Sequence, residues 1–477
     1  MSETFDYVIV GSGAGGASAA RVLADVNGSI AIVEEGPAVP TEQFEDRALP
    51  TFKRLYRGMG AQATSGRAPM LVIQGRCLGG STVVNSAIMR RLPEEVWREW
   101  EVSYGIGDAV PYQEVLTASA EIERELHAEL TPTAIWGGNN GLLSKGAATA
   151  GVGGAPTLRN TWGCRGSARC NLGCPHGAKQ SMQLSYLPYA QQRGARLIPD
   201  RRVERVLMRG ARAVGVQTPA GNLMATKAVL VAASAVQTPG VLWRSGVRSR
   251  HLGRHFQGHP GMAIVGLFET PVRMGDGATQ GFEVDGWRSE SRVKLETLAL
   301  PPEMFFSGLP GIGRRWASLM AEFGRAAVWV LPLRSQGEGA VGVGWHDGRL
   351  SFQLDPRDLP NLRRGLRRAS ELMLAAGARE VVCPVDGLPD RLKADQLSLI
   401  EEAADDPASY PLALSHLFGT ARMSGRSEDG VVDHNFRVHG TENLYVVDSS
   451  VFPTNLGVNP QVTIMALARM AAQRMVS

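Results

Sequence analysis

The chain has 477 residues, too many for one simple core, so two domains or one elaborated α/β unit are expected. Hydrophobic residues make up 44% and charged residues 20%, which fits a globular protein and excludes a disordered chain. A net charge of +4, with no basic motif interleaved with aromatics, argues against a nucleic-acid partner.

The opening residues MSETFDYVIVGSG run straight into a strand, without the basic and apolar regions of a signal peptide. The longest apolar run, around Ala228–Val236, is far too short to span a membrane. Five cysteines, an odd number, in a chain without an export signal point to reduced thiols and a cytoplasmic location.

The stretch DYVIVGSGAGGASAARVLAD reads as an apolar strand, a glycine turn and an alanine-rich helix. Gly11 permits the turn, Gly13 lets backbone approach a pyrophosphate, and Gly16 lets the helix lie close to the strand. Amide groups at the helix start, beginning with Ala14, face the phosphates with the positive end of the dipole. The segment SIAIVEEG supplies a second strand and ends in Glu34, placed to bind a ribose hydroxyl pair and to repel a 2′-phosphate. A dinucleotide site follows, which at this point is open between NAD and FAD.

A second glycine-rich segment, GRCLGGSTVVNSAIMRR over Gly75–Arg91, is not required by an NAD fold. Further on, GCRGSARCNLGCPHG carries Cys164, Cys170 and Cys174, with His176 two residues beyond. The spacing lacks the paired Cys-x2-Cys of a zinc knuckle and matches no ferredoxin pattern. A structural loop with free thiols and no metal is expected, with zinc, iron–sulfur and a redox disulfide as alternatives. Cys77 and Cys383 are isolated and expected to be inert. The segment LPPEMFFSGLPGIGRRWASLMAEFGR is an apolar loop and amphipathic helix, either core packing or a lid. AAVWVLPL, AVGVGW and RLSFQLD read as three strands of one antiparallel sheet.

Near the C-terminus, SHLFGTARMSG places His416 before a tight turn, a setting that alone signals only a polar residue. Asn459 and Pro460 then precede QVTIMALARMAAQRM, so Asn459 is expected as N-cap and Pro460 as the first helical residue. Amides at Gln461 and Val462 would stand at the positive helix end.

Together, GRCLGGSTVVNSAIMRR, VLVAASAVQTPGVLWRSGV (Val229–Val247), the His416 setting and NLYVVDSSVFPTNLGVNPQVTIMALARMAAQRM resemble the glucose–methanol–choline oxidoreductases, FAD enzymes that oxidise alcohols. GCPHGAKQS resembles the long-chain alcohol oxidase branch and its small bacterial relatives. The resemblance implies that Gly11, Gly13, Ala14, Gly16 and Glu34 hold the adenosine end. It puts Gly79, Gly80, Ser81, Asn85 and Val203 with the cofactor, and Asp448 near the ribityl–phosphate chain. Pro460 would also lie with the cofactor, and the helix donors at Gln461 and Val462 would face the flavin's pyrimidine edge. Val84 stands where some members carry a flavin-linked histidine, so the FAD is expected to be non-covalent. His416, in H-x-x-G-T-x-x-M, is implied as the base, and Asn459 as the residue that orients the hydroxyl. An unperturbed imidazole pKa near ~6.5 would suit that task.

The expected fold is α/β, with a discontinuous Rossmann-like FAD domain (1–93, 197–259 and 436–477) and an antiparallel-sheet-and-helix substrate domain (94–196 and 260–435). The expected partners are a small-molecule alcohol, apolar or long-chain, and an electron acceptor, either oxygen or another. A sugar or secondary-metabolite hydroxyl is the alternative substrate, and a lyase or isomerase that keeps the FAD fold is the alternative reaction.

Overall fold

The computed structural model describes residues 3–476 except 27 and 347. The extreme residues of the expected FAD domain (1, 2 and 477) and its residue 27 therefore lie outside the described residues, as does residue 347 of the substrate domain.

Among the described residues the chain builds two large sheets. The first is seven-stranded, and its centre is parallel: Glu3–Val10 lies between Ile30–Val33 and Gly221–Val231, and Leu444–Val446 pairs with the far end of Gly221–Val231. Apolar residues run almost unbroken through YVIV, IAIV and VLV because both faces of this sheet are covered. The helix Ala14–Leu23 covers one face and packs on the terminal helix Gln461–Val476. The arrangement is Rossmann-like, as expected, with an antiparallel extension through Arg212–Thr218 and Arg205–Arg209.

The second sheet is eight-stranded and largely antiparallel. Its long strand Gln257–Leu267 pairs with Ala413–Phe418 on one side and Ala326–Pro332 on the other, followed by Leu295–Thr297 and Phe282–Val284. The helix Asp358–Ala375 buries Leu362, Leu366, Ala369 and Met373 against this sheet's core.

The division of the chain differs from the sequence reading in two places. Residues 94–126 and 182–195, assigned to the substrate domain, pack into the core of the first sheet. Trp100, fully buried, packs at a tilt against Phe452 and donates from its indole N–H to Thr454 at 2.9 Å, and Glu125 grips Arg469 of the terminal helix at 2.9 and 3.0 Å. In the other direction, Leu71–Val72 joins the second sheet beside Ala413–Leu414. Nor do the three expected strands share one sheet: Ala326–Pro332 is central to the large one, whereas Glu338–Val341 and Leu350–Gln353 form a separate hairpin. No helix among the described residues is long and apolar enough to cross a membrane.

Candidate active site

A cavity of about 770 Å³ runs from the glycine turn to the second sheet, within the range of cofactor pockets. At its first end the glycines differ in what surrounds them. Gly11 holds φ +99°, and a Cβ there would stand 2.3 Å from the Ala232 carbonyl oxygen. A Cβ at Gly16 would stand 2.0 Å from the Gly11 carbonyl oxygen, so this glycine serves helix–strand contact. Gly13 differs: its φ is −70°, and a Cβ would meet nothing within 4 Å. That open backbone, lining the cavity at a helix start, is the cradle a pyrophosphate needs. Glu34 lines the same end, taking hydrogen bonds from Ser12 N–H (3.0 Å), Ser12 O–H (2.7 Å) and Gly36 N–H (2.8 Å). Burial outweighs those bonds and pushes its carboxyl above the ordinary range, which favours a ligand that brings hydroxyl donors.

Ala14, Gly80, Ser81, Asn85 and Val203 also line the cavity, as does Val84, which offers no nucleophile. Gly79 lies just behind, its N–H donating to Ser12 at 2.9 Å. Asp448 accepts from Ser234 N–H (2.9 Å), Thr238 O–H (2.6 Å) and Ser450 N–H (2.8 Å). It thereby ties the strand end at Leu444–Val446 to the helix Ser234–Arg244. Asn85 donates to the Gln461 side chain, joining the second glycine-rich segment to the start of the terminal helix. Pro460 and Gln461 line the cavity, but Val462 is fully buried and does not. The cap is also shifted by one: the Pro460 carbonyl accepts the first helical bond, from Ile464 N–H at 3.0 Å, so Pro460 and not Asn459 is the N-cap. Asn459 is left free for another partner. Glycines, acid and open helix start together fit FAD.

At the far end His416 and Asn459 line one wall. His416 owes its aim to a β-bulge. Gly258 pairs with Leu417 and Pro260 with Leu414, so Ser415 and His416 oppose the single residue His259. The bulge turns both imidazoles toward each other, with their Nδ1 atoms 3.0 Å apart. Gly457 N–H donates to His259 Nε2 at 2.8 Å, which places the proton of a neutral His259 on Nδ1, toward His416. Neutral His416 then rests with its own proton on Nε2, the nitrogen left for the cavity.

Burial lowers the His416 pKa to about 4, only partly opposed by the Glu296 carboxylate. Burial, with His416 and Arg334 nearby, also holds His259 well below the usual imidazole range. Both rings are therefore neutral at neutral pH, and the unperturbed value near ~6.5 expected from sequence does not apply here.

Four further residues complete this end, none of them foreseen from sequence. Glu283 and Glu296 stand directly opposite on neighbouring strands, and Lys294 lies on the same strand face as Glu296, two residues away. Lys294 Nζ is 2.6 Å from both carboxylates and donates to Asn459 Oδ1 at 2.9 Å. Gln280 donates to the other Glu296 oxygen at 3.0 Å. Burial raises the Glu296 pKa, but the neighbouring ammonium outweighs it and keeps the carboxyl below its ordinary value. The alternation in VKLETL was a signal for a charged strand face; its partners on other strands were not readable. The cavity is also lined by the apolar side chains of Leu71, Ile73, Leu298, Leu300, Met304 and Val330. Leu300 and Met304 come from the expected lid segment, which forms two short helices, Pro302–Ser307 and Arg314–Met320, and also buries Phe305 and Leu319.

The cysteine loop lies behind the segment that carries Asn85. Arg159 reaches Cys170 Sγ at 3.2 Å and Cys164 Sγ at 3.9 Å, and the Cys174 sulfur accepts from Lys179 N–H at 3.4 Å. Lys179 Nζ donates to the carbonyls of Val83 (2.6 Å), Asn85 (2.8 Å) and Cys170 (2.7 Å), fastening this loop to the cavity wall. Burial pushes the Cys170 thiol up, but the two cations outweigh it and lower its pKa. All five cysteines are free, and among the described residues no group of side chains is arranged to hold a metal ion. Burial raises the Cys383 pKa to about 12 and also raises that of Cys77, so both thiols stay protonated.

Family models described as GMC oxidoreductase match residues 52–261 and 346–468. An uncharacterised GMC-type oxidoreductase of Mycobacterium tuberculosis is 35% identical over 99% of this chain and 76% of its own length. Another, from Sinorhizobium fredii, is 33% identical over 99% and 94%. A long-chain-alcohol oxidase of Arabidopsis thaliana is 27% identical over 97% of this chain and 66% of its own. Among solved structures, Aspergillus oryzae formate oxidase superposes with a TM-score of 0.74 at 17% identity over 99% of this chain and 98% of its own. Pyridoxine 4-oxidase from Mesorbium loti gives 0.73 at 17% over 98% of both chains. These two likenesses concern the fold.

Proposed function

Because the chain belongs to the GMC oxidoreductase family and is thereby an FAD-binding oxidoreductase, we propose that it oxidises an apolar alcohol to a carbonyl, with His416 as base and Asn459 holding the substrate oxygen. One observation carries this reading. A neutral imidazole and an amide line the cofactor cavity together with the apolar side chains of Leu71, Ile73, Leu298, Leu300, Met304 and Val330. That arrangement suits a hydroxyl on a hydrocarbon body better than a sugar, whose other hydroxyls would find few partners there.

FAD, held without a covalent link, supplies the hydride acceptor. The protein's part is to orient the alcohol carbon, exclude water and take the hydroxyl proton at His416 Nε2. Taking it there requires the proton between the two imidazoles to sit on His416, and His259 to carry its own on Nε2, against Gly457 N–H. Losing that bond costs about 1–3 kcal/mol. General base catalysis is worth about 10²–10⁴-fold, roughly 3–5 kcal/mol, so the base route survives the cost. Once protonated, Nε2–H donates to the oxygen of the nascent carbonyl. An electron acceptor, oxygen or another, would be the second partner the reaction requires.

The test is anaerobic. Primary alcohols of increasing chain length should bleach the bound flavin with rising apparent affinity, by roughly threefold to fourfold per methylene until the cavity is filled. A polyol that bleaches it while long-chain alcohols do not would reverse the substrate reading. No bleaching by any alcohol would favour a non-oxidative reaction on the same fold.

A further inference from the structure

Lys294 is a fully buried lysine, and burying an ammonium is costly unless anions and hydrogen-bond acceptors surround it. Two of its three oxygen neighbours have a plain structural reason. Glu283 and Glu296 face each other across neighbouring strands, and two opposed buried carboxylates would repel without a cation between them. The third contact does not serve that purpose. Lys294 donates to Asn459 Oδ1 at 2.9 Å, and Asn459 is already neutral.

An amide has an accepting end and a donating end, whereas an ammonium can only donate. Lys294 therefore decides which way the Asn459 amide points: Oδ1 is turned to the lysine and Nδ2 is left over. Among the described residues no hydrogen bond from Nδ2 is found, and Asn459 lines the same cavity as His416. We propose that Lys294 is a positioning residue that locks the Asn459 amide with its N–H₂ end toward the substrate oxygen. The amide then holds a lone pair of the hydroxyl, and the hydroxyl proton is left to point at His416. A reversed amide would accept that proton itself and compete with the base. The inference rests on the reading of His416 and Asn459 as the pair around the substrate oxygen, and it adds the group that orients one of them.

The experiment is a double-mutant cycle on the FAD-loaded enzyme, read as the rate of anaerobic flavin reduction by an alcohol. Lys294→Met is combined with Glu283→Gln so that the local charge is unchanged, and Glu283→Gln alone is the control. In the wild-type background the pair should slow reduction by about 10–100-fold, the scale of a misplaced substrate group, with the flavin spectrum retained. In an Asn459→Ala background the same pair should change the rate by no more than about twofold. Independent, multiplying losses would overturn the proposal and leave Lys294 a purely structural cation. A second variant leaves Lys294 in place: Asn459→Asp keeps an oxygen for the lysine but has no N–H₂. It should be at least as slow as Asn459→Ala at a pH where His416 is neutral, and wild-type-like reduction would overturn the proposal. If Asn459→Ala alone has no effect, the reading of the substrate pair fails instead, which is a separable result.

Discussion

The two ends of the one cavity are built in opposite ways. The dinucleotide end is made of backbone: an open Gly13, a tightly packed Gly16 and amides at a helix start, all within a few residues of sequence. The substrate end is made of side chains from four strands and a helix start: His259, Glu283, Lys294 and Glu296, His416 and Asn459. A backbone cradle depends on the absence of atoms, so one substitution can fill it. A side-chain site depends on mutual orientation, so its losses are graded by how directly each residue touches the substrate.

The largest expected effect therefore falls at the first end. Gly13→Val should fold, because the position has ordinary φ and empty space where the side chain would go. On the proposed placement of FAD the pyrophosphate would occupy that empty space, so the protein should be colourless and resist loading with FAD. Gly11→Val should instead impair folding, since its Cβ would stand 2.3 Å from backbone. Circular dichroism and flavin absorbance separate the two outcomes. A yellow, fully loaded Gly13→Val protein would remove the contrast between the ends.

At the second end His416→Ala should keep fold and FAD but lose about 10²–10⁴-fold in flavin reduction, with Asn459→Ala losing less. The pH dependence sharpens the same point. Only the neutral imidazole accepts a proton, and burial lowers the His416 pKa to about 4. Reduction by stopped flow should thus be level through neutral pH and fall about tenfold per unit below pH 4. A midpoint near 6.5 would mean that the base is not the buried ring described here. The same shift bears on stability. A group with a depressed cationic pKa stays neutral in the folded state, while the unfolded chain takes up the proton below about pH 6.5, so acid destabilises the fold between those values.

How much of this was legible follows the same division. The glycine turn and the strand–helix order are local, and the structure has strand, turn and helix where the sequence reading put them, with Glu34 directly after the second strand. His416 and Asn459 were named through family resemblance, and both line the same cavity. The bulge that turns His416 onto His259 was not legible, because it arises from a one-residue slip between strands more than 150 residues apart. Nor was the Lys294 contact, which forms only when Leu295–Thr297 is laid beside the start of the terminal helix. The sequence rule for caps went astray at Asn459 for that reason: a buried ammonium out-competes helix amides for its oxygen.

His259 gives the smallest effect and the finest test of a site built by orientation. It touches no substrate on this reading; it sets which nitrogen of His416 carries the proton. In His259→Asn the amide oxygen could accept from His416 Nδ1–H, which favours the tautomer with a free Nε2 and removes the cost of the Gly457 bond. In His259→Leu neither arrangement is supported. The Asn variant should stay within about tenfold of the wild-type reduction rate and exceed the Leu variant, since net hydrogen-bond differences are of order 1 kcal/mol. Nitrogen-15 spectra should show the His416 proton on Nε2 in the resting wild-type protein and on Nδ1 in His259→Asn. A His416 proton already on Nδ1 at rest would contradict the order of bonds from Gly457 through His259. An Asn variant as slow as His416→Ala would instead make His259 a working part of the base, and the separation between touching and orienting residues would have to be redrawn.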